Sequence, residues 1–244
     1  MSVDREHVVS FPAIFAALGL LRPHSAGITP PDITIEAIES KITNPQIARQ
    51  LGANAISIDA INGIEWAANL LDSYSETGDP KFLELADRAY NFAISPLPSE
   101  VRRDVVLSSM AAVNYFHFER LVALRIRRGD EFLPEEAIEY LLRRGSDSII
   151  YASVLRVDHI TDPGLISGFR VRQALWDLAD DVTDLEQDRL SIGANVLLLS
   201  TGGERRQLRS LARSLVDRSR RMSMPQSLLW AIDQQYQKTI AVLA

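Results

Sequence analysis

The chain has 244 residues, 46% of them hydrophobic and 24% charged, with a net charge of -6 and no cysteine. That length and apolar content can bury a sizeable core, so one domain over residues 1–244 is expected. The acidic balance argues against nucleic-acid binding, which wants a basic face, and the lack of cysteine excludes disulfides and thiolate metal sites.

In chain order, the first apolar run is "FPAIFAALGLL", inside a predicted helix over 5–21. It is too short to span a bilayer, and Pro12 interrupts it. The flank "MSVDREH" carries Asp4 and Glu6 where a secretory signal would be positive. A core helix in a cytoplasmic protein is the expectation. Helical periodicity then predicts helices over 33–76, 80–94, 98–128, 133–159, 163–190, 203–222 and 224–243. Loops rich in Pro and Gly separate them, such as "SETGDP", "SPLPSE", "DPG" and "STGGE". The 33–76 segment is too long for one ordinary helix and should break near Asn44-Pro45, since proline disfavours helical geometry in the residue before it. No hairpin-bounded strand pattern occurs. The fold class is all-α, a single-domain helical bundle.

Two segments carry chemistry. In "LWDLADDVTDLEQD" Asp177, Asp180, Asp181, Asp184 and Asp188 fall within an arc of about 100° on a helix. Leu175, Leu178, Ala179, Val182 and Leu185 form the neighbouring apolar face. The i±4 partners of Asp184 are Asp180 and Asp188, and like charges at that spacing cost about 0.2–0.5 kcal/mol each. A solvated acidic face is the plain alternative. A bound cation explains the stripe better, and hard oxygen ligands suit Mg2+, Mn2+ or Ca2+. Mg2+ is usually held by one or two carboxylates plus phosphate oxygens, which calls for an acidic group across a cavity. The candidate is "AANLLDSYSETGD", where Asp72 and Glu76 share a helix face. The alternative there is a polar helix end running into Gly78, although acids near a helix C-terminus oppose its dipole.

These residues resemble the class I isoprenoid synthases, the superfamily of trans-prenyltransferases, squalene and phytoene synthases and class I terpene cyclases. "WDLADDVTDLEQD" with "IGANVLLL" is similar to the family's second aspartate motif, and "ANLLDSYSE" stands where the first belongs. Three departures are plain. Ser73 replaces an aspartate of the first motif, the Gly-Lys-x-x-Arg-Pro signature for isopentenyl diphosphate is missing, and Ala194 stands where a lysine is expected. The small moenomycin-pathway prenyltransferases, which join a prenyl group to an unusual acceptor, are similar in size.

The resemblance implies an isoprenoid-synthase bundle with Mg2+ as cofactor. It makes Asp72, Glu76, Asp180 and Asp184 catalytic metal ligands, with Asp188 as a further ligand. Arg143 and Arg144 fall where the family keeps a diphosphate-binding cation, and Arg189 directly follows the stripe. The implied activity ionises an allylic prenyl diphosphate and transfers the prenyl group to an acceptor other than isopentenyl diphosphate, such as a lipid-like one. A terpene cyclase and a non-catalytic partner subunit of a prenyl synthase are the alternatives.

Trp66, Tyr115, Phe116, Tyr151, Phe169 and Trp176 could steady a carbocation, or simply fill the core. His117 is an acceptor-side base or a structural histidine. "ERRQLRSLARSLVDRSRR" is basic and amphipathic, compatible with peripheral contact with an anionic membrane. A bundle helix with a solvated arginine face is the favoured reading. Prenyltransferase relatives commonly form homodimers, which this chain could share.

Overall fold

The computed structural model describes residues 33–130, 133–185, 195, 197 and 205–244. The helix expected over 5–21 lies outside these residues, as do Asp188 and Arg189. Every regular element among the described residues is helical, in keeping with the all-α expectation.

Local chemistry sets most of the boundaries. Helix α1 (Ile35–Ser40) starts where the Thr34 hydroxyl accepts the N–H of Ala37. Helix α2 (Asn44–Gln50) carries Pro45 in its first turn, where the missing N–H costs nothing. It ends before Gly52, whose φ of 87° is open to glycine and strained for other residues. Helix α3 (Ala55–Thr77) is capped by Asn54, whose side chain accepts the Ser57 N–H at 3.0 Å. It stops at Gly78, whose left-handed backbone returns its N–H to the Tyr74 carbonyl at 2.8 Å. Asp79 caps α4 (Pro80–Ile94), and α5 (Ser99–Arg127) follows. Helix α6 (Pro134–Arg144) runs into a 3-10 turn (Gly145–Asp147) and then α7 (Ser148–Leu155). A second 3-10 turn (Arg156–Asp158) precedes α8 (Leu165–Thr183), and α9 (Arg205–Arg220) and α10 (Gln226–Val242) complete the order.

Three boundaries differ from the sequence reading. The 33–76 segment breaks at 41–43, just before Pro45 as expected, and a second time around Gly52, which was not expected. The 133–159 segment breaks at Gly145, because a Cβ there would lie 2.9 Å from the Arg170 Cα of α8. That close approach is open to glycine alone, and it bends the chain around α8. Helix α8, expected over 163–190, ends at Thr183 with Asp184 as its cap. Asp184 therefore sits at the end of the helix, while Asp180 lies on its last turn.

Helix α8 is the hub, packed against α6, α7, α9 and α10. Helix α3 pairs with α4, and α7 touches both α3 and α8. At the α3–α4 crossing a Cβ on Gly63 would stand 2.6 Å from the Ala93 Cβ, so glycine sets their spacing. Leu175 and Leu178, on the apolar arc of the acidic helix, are fully buried. Burying a leucine stabilises by about 1.5–3 kcal/mol, so this face fixes which side of α8 points away from the core. Leu208, Leu211, Ala212 and Leu215 of α9 are buried and Arg205, Arg209, Arg213 and Arg220 are exposed, as a bundle helix requires. Arg209 also donates to the Leu243 carbonyl at 2.7 Å, satisfying a helix end that lacks an intrahelical partner. Among the described residues no helix is long and apolar enough to cross a membrane.

Candidate functional site

A cleft opens between α3 and α8, with the turn before α2 at its rim and the start of α7 at its base. Lys41, Thr43, Glu65, Asn69, Asp72, Arg144, Asp147, Tyr151, Gln173, Trp176, Asp177 and Asp180 line it. The two acidic segments singled out in the sequence thus meet in one cavity. Asp72 comes from the last turns of α3, and Asp180 from the last turn of α8.

The acidic stripe divides in two. Asp177 and Asp181 turn inward and are nearly fully buried. Arg144 reaches them from α6, donating to the Asp181 carboxylate at 2.7 Å and lying 3.4 Å from Asp177. Gln173, one turn earlier on α8, donates to the other Asp177 oxygen at 2.9 Å. Burial is the main force on Asp177 and pushes its carboxyl up to about 7, against the opposing pull of Arg144. Its Oδ2 atom is buried and receives no hydrogen bond.

Asp180 and Asp184 form the outer half. Burial raises the Asp180 carboxyl to about 6; Lys41 opposes that rise, while Asp184 and Asp72 add to it. Burial also raises Asp184, again opposed by Lys41 and reinforced by Asp181 and Asp72. Asp72, Asp180 and Asp184 are therefore near enough to repel one another. Their helices end in this region with no basic residue in either last turn, so the dipole of each adds negative potential. Lys41 stands at the rim with its ammonium 5.5 Å from the Trp176 ring centroid.

Below them lies a buried polar network. The Glu65 carboxylate accepts the backbone N–H of Thr43 at 3.1 Å and that of Asn44 at 2.9 Å, and the Asn44 side-chain amide at 2.9 Å. Arg172 of α8 donates to the Asn44 side chain at 3.0 Å and to the Thr43 hydroxyl. Helices α3 and α8 thereby clamp the turn that presents Lys41. Tyr151 donates to Asp147 at 2.7 Å, and burial raises the carboxyls of Asp147 and of Glu65, the latter to about 7.

The donor set fits a hard divalent cation. Carboxylates on two helices repel across a cleft, and a cation between them would relieve that repulsion. Among the described residues no group of three or more His, Cys, Asp or Glu is assembled to hold a metal ion by itself. Mg2+ is commonly held by one or two carboxylates with water and phosphate oxygens. Asp72 and Asp180 would hold it here, with Asp184 beside them.

Other expected residues are placed differently. The backbone of Glu76 belongs to α3. Arg143 is exposed, stacks 4.5 Å from the Phe118 ring centroid, and lines a different cleft with Glu139, Arg170 and Arg218. Of the adjacent pair only Arg144 faces the acids. Tyr151 and Trp176 line the cleft, and Phe169 packs behind Tyr151 at 5.7 Å between ring centroids. Trp66 is partly buried against the core. The side chains of Tyr115, Phe116 and His117 lie outside the described ones. Sequence reading missed Lys41, Glu65, Asp147, Arg172 and Gln173. Single polar or charged residues spread over four elements have no spacing to find them by, although a lone Glu65 and a lone Arg172 on otherwise apolar helix faces are a usable signal. Comparison of the chain with protein-family models, with curated proteins and with solved structures returns no match.

Proposed function

We propose that this chain is a Mg2+-dependent prenyltransferase that ionises an allylic prenyl diphosphate and transfers the prenyl group to an acceptor other than isopentenyl diphosphate. The observation that carries the reading is the meeting of Asp72 and Asp180, from separate helices, across one cleft that also holds Arg144 and Lys41. Bound Mg2+ would supply charge neutralisation for a departing diphosphate.

The chain's own residues do the rest. Asp72 and Asp180 would hold the cation, with Asp184 adding charge at the helix end. Lys41 and Arg144 bring positive charge to where the diphosphate leaves, and charge placed in advance needs no rearrangement during the reaction. Asp177 and Asp181 hold Arg144 in place. The faces of Trp176 and Tyr151 offer weak attraction to a positive allylic fragment. Ser73 is buried and bonds back to the Asn69 carbonyl at 2.9 Å, so the first motif keeps Asp72 as its cleft-lining acid.

The test is incubation with geranyl, farnesyl and geranylgeranyl diphosphates and Mg2+, with lipid acceptors present and absent. Diphosphate release and mass spectrometry of the products are the readouts. Prenylated acceptor, lost in Asp72→Ala and Asp180→Asn, is expected. A hydrocarbon or terpene alcohol formed without acceptor moves the assignment to a cyclase. No diphosphate release with any substrate, and binding unaltered by Asp72→Ala, overturns the enzyme reading in favour of a partner subunit.

A further inference from the structure

A second cleft lies where α6, α8 and α9 meet, and each helix gives it one arginine: Arg143, Arg170 and Arg218. Glu139 faces them, and the buried Leu142 and Val171 form an apolar lining. Three guanidinia against one carboxylate leave the cleft with a charge of +2, in a chain whose net charge is -6. The cleft shares no lining residue with the acidic one. On α8 the two sets of lining residues point about 120° apart.

Two of the arginines have other work. Arg218 donates to Glu139 at 2.9 Å, and Arg143 stacks on the Phe118 ring. Both also stand in the last turn of their helices, where a cation offsets the dipole. Arg170 does neither. It stands in the second turn of α8, and its buried Nε has no hydrogen-bond partner among the described residues. A Cβ at Gly145 would lie 3.3 Å from the Arg170 Cγ, so packing against that glycine places its stem. A buried donor without an acceptor costs free energy, and in folded proteins such groups ordinarily find partners. An anion in the cleft would supply the acceptor. A carboxylate presents its oxygens in one plane, which a single guanidinium fork fills. Donors arriving from three helices suit an anion with oxygens in several directions, a phosphate group. The cavity measures about 160 Å3. A pocket that encloses a drug-sized molecule has about 300–1,000 Å3, so this one takes the phosphate and leaves its carrier in solvent.

We infer that this cleft binds a single phosphate group without a metal ion, with Arg170 as its anchor and Arg143 and Arg218 beside it. The inference is independent of the proposed chemistry, which needs Mg2+ in the acidic cleft. Calorimetric titration with inorganic phosphate in EDTA, at constant ionic strength, should show saturable binding of one phosphate per chain. Arg170→Met should weaken it about tenfold or more, the worth of a hydrogen bond to a charged group, with far-UV circular dichroism unchanged. Arg170→Lys keeps the charge and loses the fork, so it should weaken binding as well. Glu139→Gln should tighten binding, because it frees Arg218 from a competing carboxylate. Arg213→Met, at an exposed arginine of α9 outside the cleft, should change nothing. Sedimentation with phosphatidylcholine vesicles, with and without phosphatidic acid, separates the two sources of such a group. Retention by phosphatidic acid that Arg170→Met and excess phosphate both abolish assigns a lipid headgroup, and no retention assigns a soluble phosphate compound. Absence of phosphate binding overturns the inference. So does binding that Arg170→Met leaves intact, that Arg170→Lys fully retains, or that Arg213→Met weakens equally, since positive charge alone would then account for it.

Discussion

Removing Arg144 tests how the acidic stripe is tolerated. Its guanidinium is 18% exposed and the carboxylates of Asp177 and Asp181 are each 5% exposed, at 3.4 and 2.7 Å. At an effective dielectric of about 20, opposite charges 4 Å apart attract by about 4 kcal/mol. Desolvation of the three groups offsets much of this in the intact protein, so the cluster adds little net stability. Arg144→Met is different, because it leaves two buried carboxylates without their cation. Breaking a buried pair in this way costs about 3–5 kcal/mol, and that loss is expected in urea unfolding at pH 7.5. Arg144→Met/Asp177→Asn/Asp181→Asn should recover most of it, since the stranded charges are gone. A loss below about 1 kcal/mol in the single variant would refute the reasoning, because it would mean the aspartates are solvated.

Further outcomes follow from the same site and its frame. Burial holds Glu65 and Asp177 up at about 7 and Asp180 at about 6, so each keeps a proton in the folded chain that the unfolded chain has released. Their contribution is whole below about pH 4 and lost as pH rises through 6 and 7; the urea midpoint should fall between pH 5 and 8, and a flat or rising midpoint contradicts the assignment. Mg2+ with inorganic pyrophosphate at about 100 times its dissociation constant stabilises by about 2.7 kcal/mol, about 5–10 °C in Tm for a chain of this size. Asp180→Asn and Asp72→Ala should lose that shift, and an undiminished shift places the ligand elsewhere. Gly63→Ala should destabilise by about 1–3 kcal/mol through overpacking against Ala93, although alanine ordinarily gains about 1 kcal/mol over glycine inside a helix. A stabilised variant shows that α3 and α4 can part without cost.

The acidic stripe shows where sequence reading stops. Its helical spacing was legible, and so was its shortage of local cations, because both depend only on position along one helix. The answer to that shortage was not. Arg144 lies on α6, and nothing in the interval between it and Asp177 says that a bend at Gly145 carries it against α8. Arg143 and Arg144 are indistinguishable by composition, yet one faces Phe118 and the other the aspartates. Adjacent residues on a helix point about 100° apart, and the packing of α6 on α8 decides which one turns inward.

The end of α8 makes the same point from the other side. Periodicity ran on past Asp184, while the helix stops at Thr183. A pattern of residue types carries no term for a helix end whose hydrogen bonds are settled by distant groups. Here the Asn195 side chain donates to the Asp181 carbonyl at 2.6 Å, taking an acceptor that the next turn would have used.

The sequence by itself determined the helical class, most element positions, and the two acidic segments that meet in the cleft. These depend on periods, caps and proline or glycine, which act over a few residues. Tertiary structure alone decided that Asp177 and Asp181 belong to an internal ion cluster while Asp180 and Asp72 line one cleft, and that Glu65 and Arg172 clamp the turn that presents Lys41. Those outcomes depend on groups far apart in the chain. Their charges and hydrogen bonds acquire energies of several kcal/mol only after packing has removed the water between them.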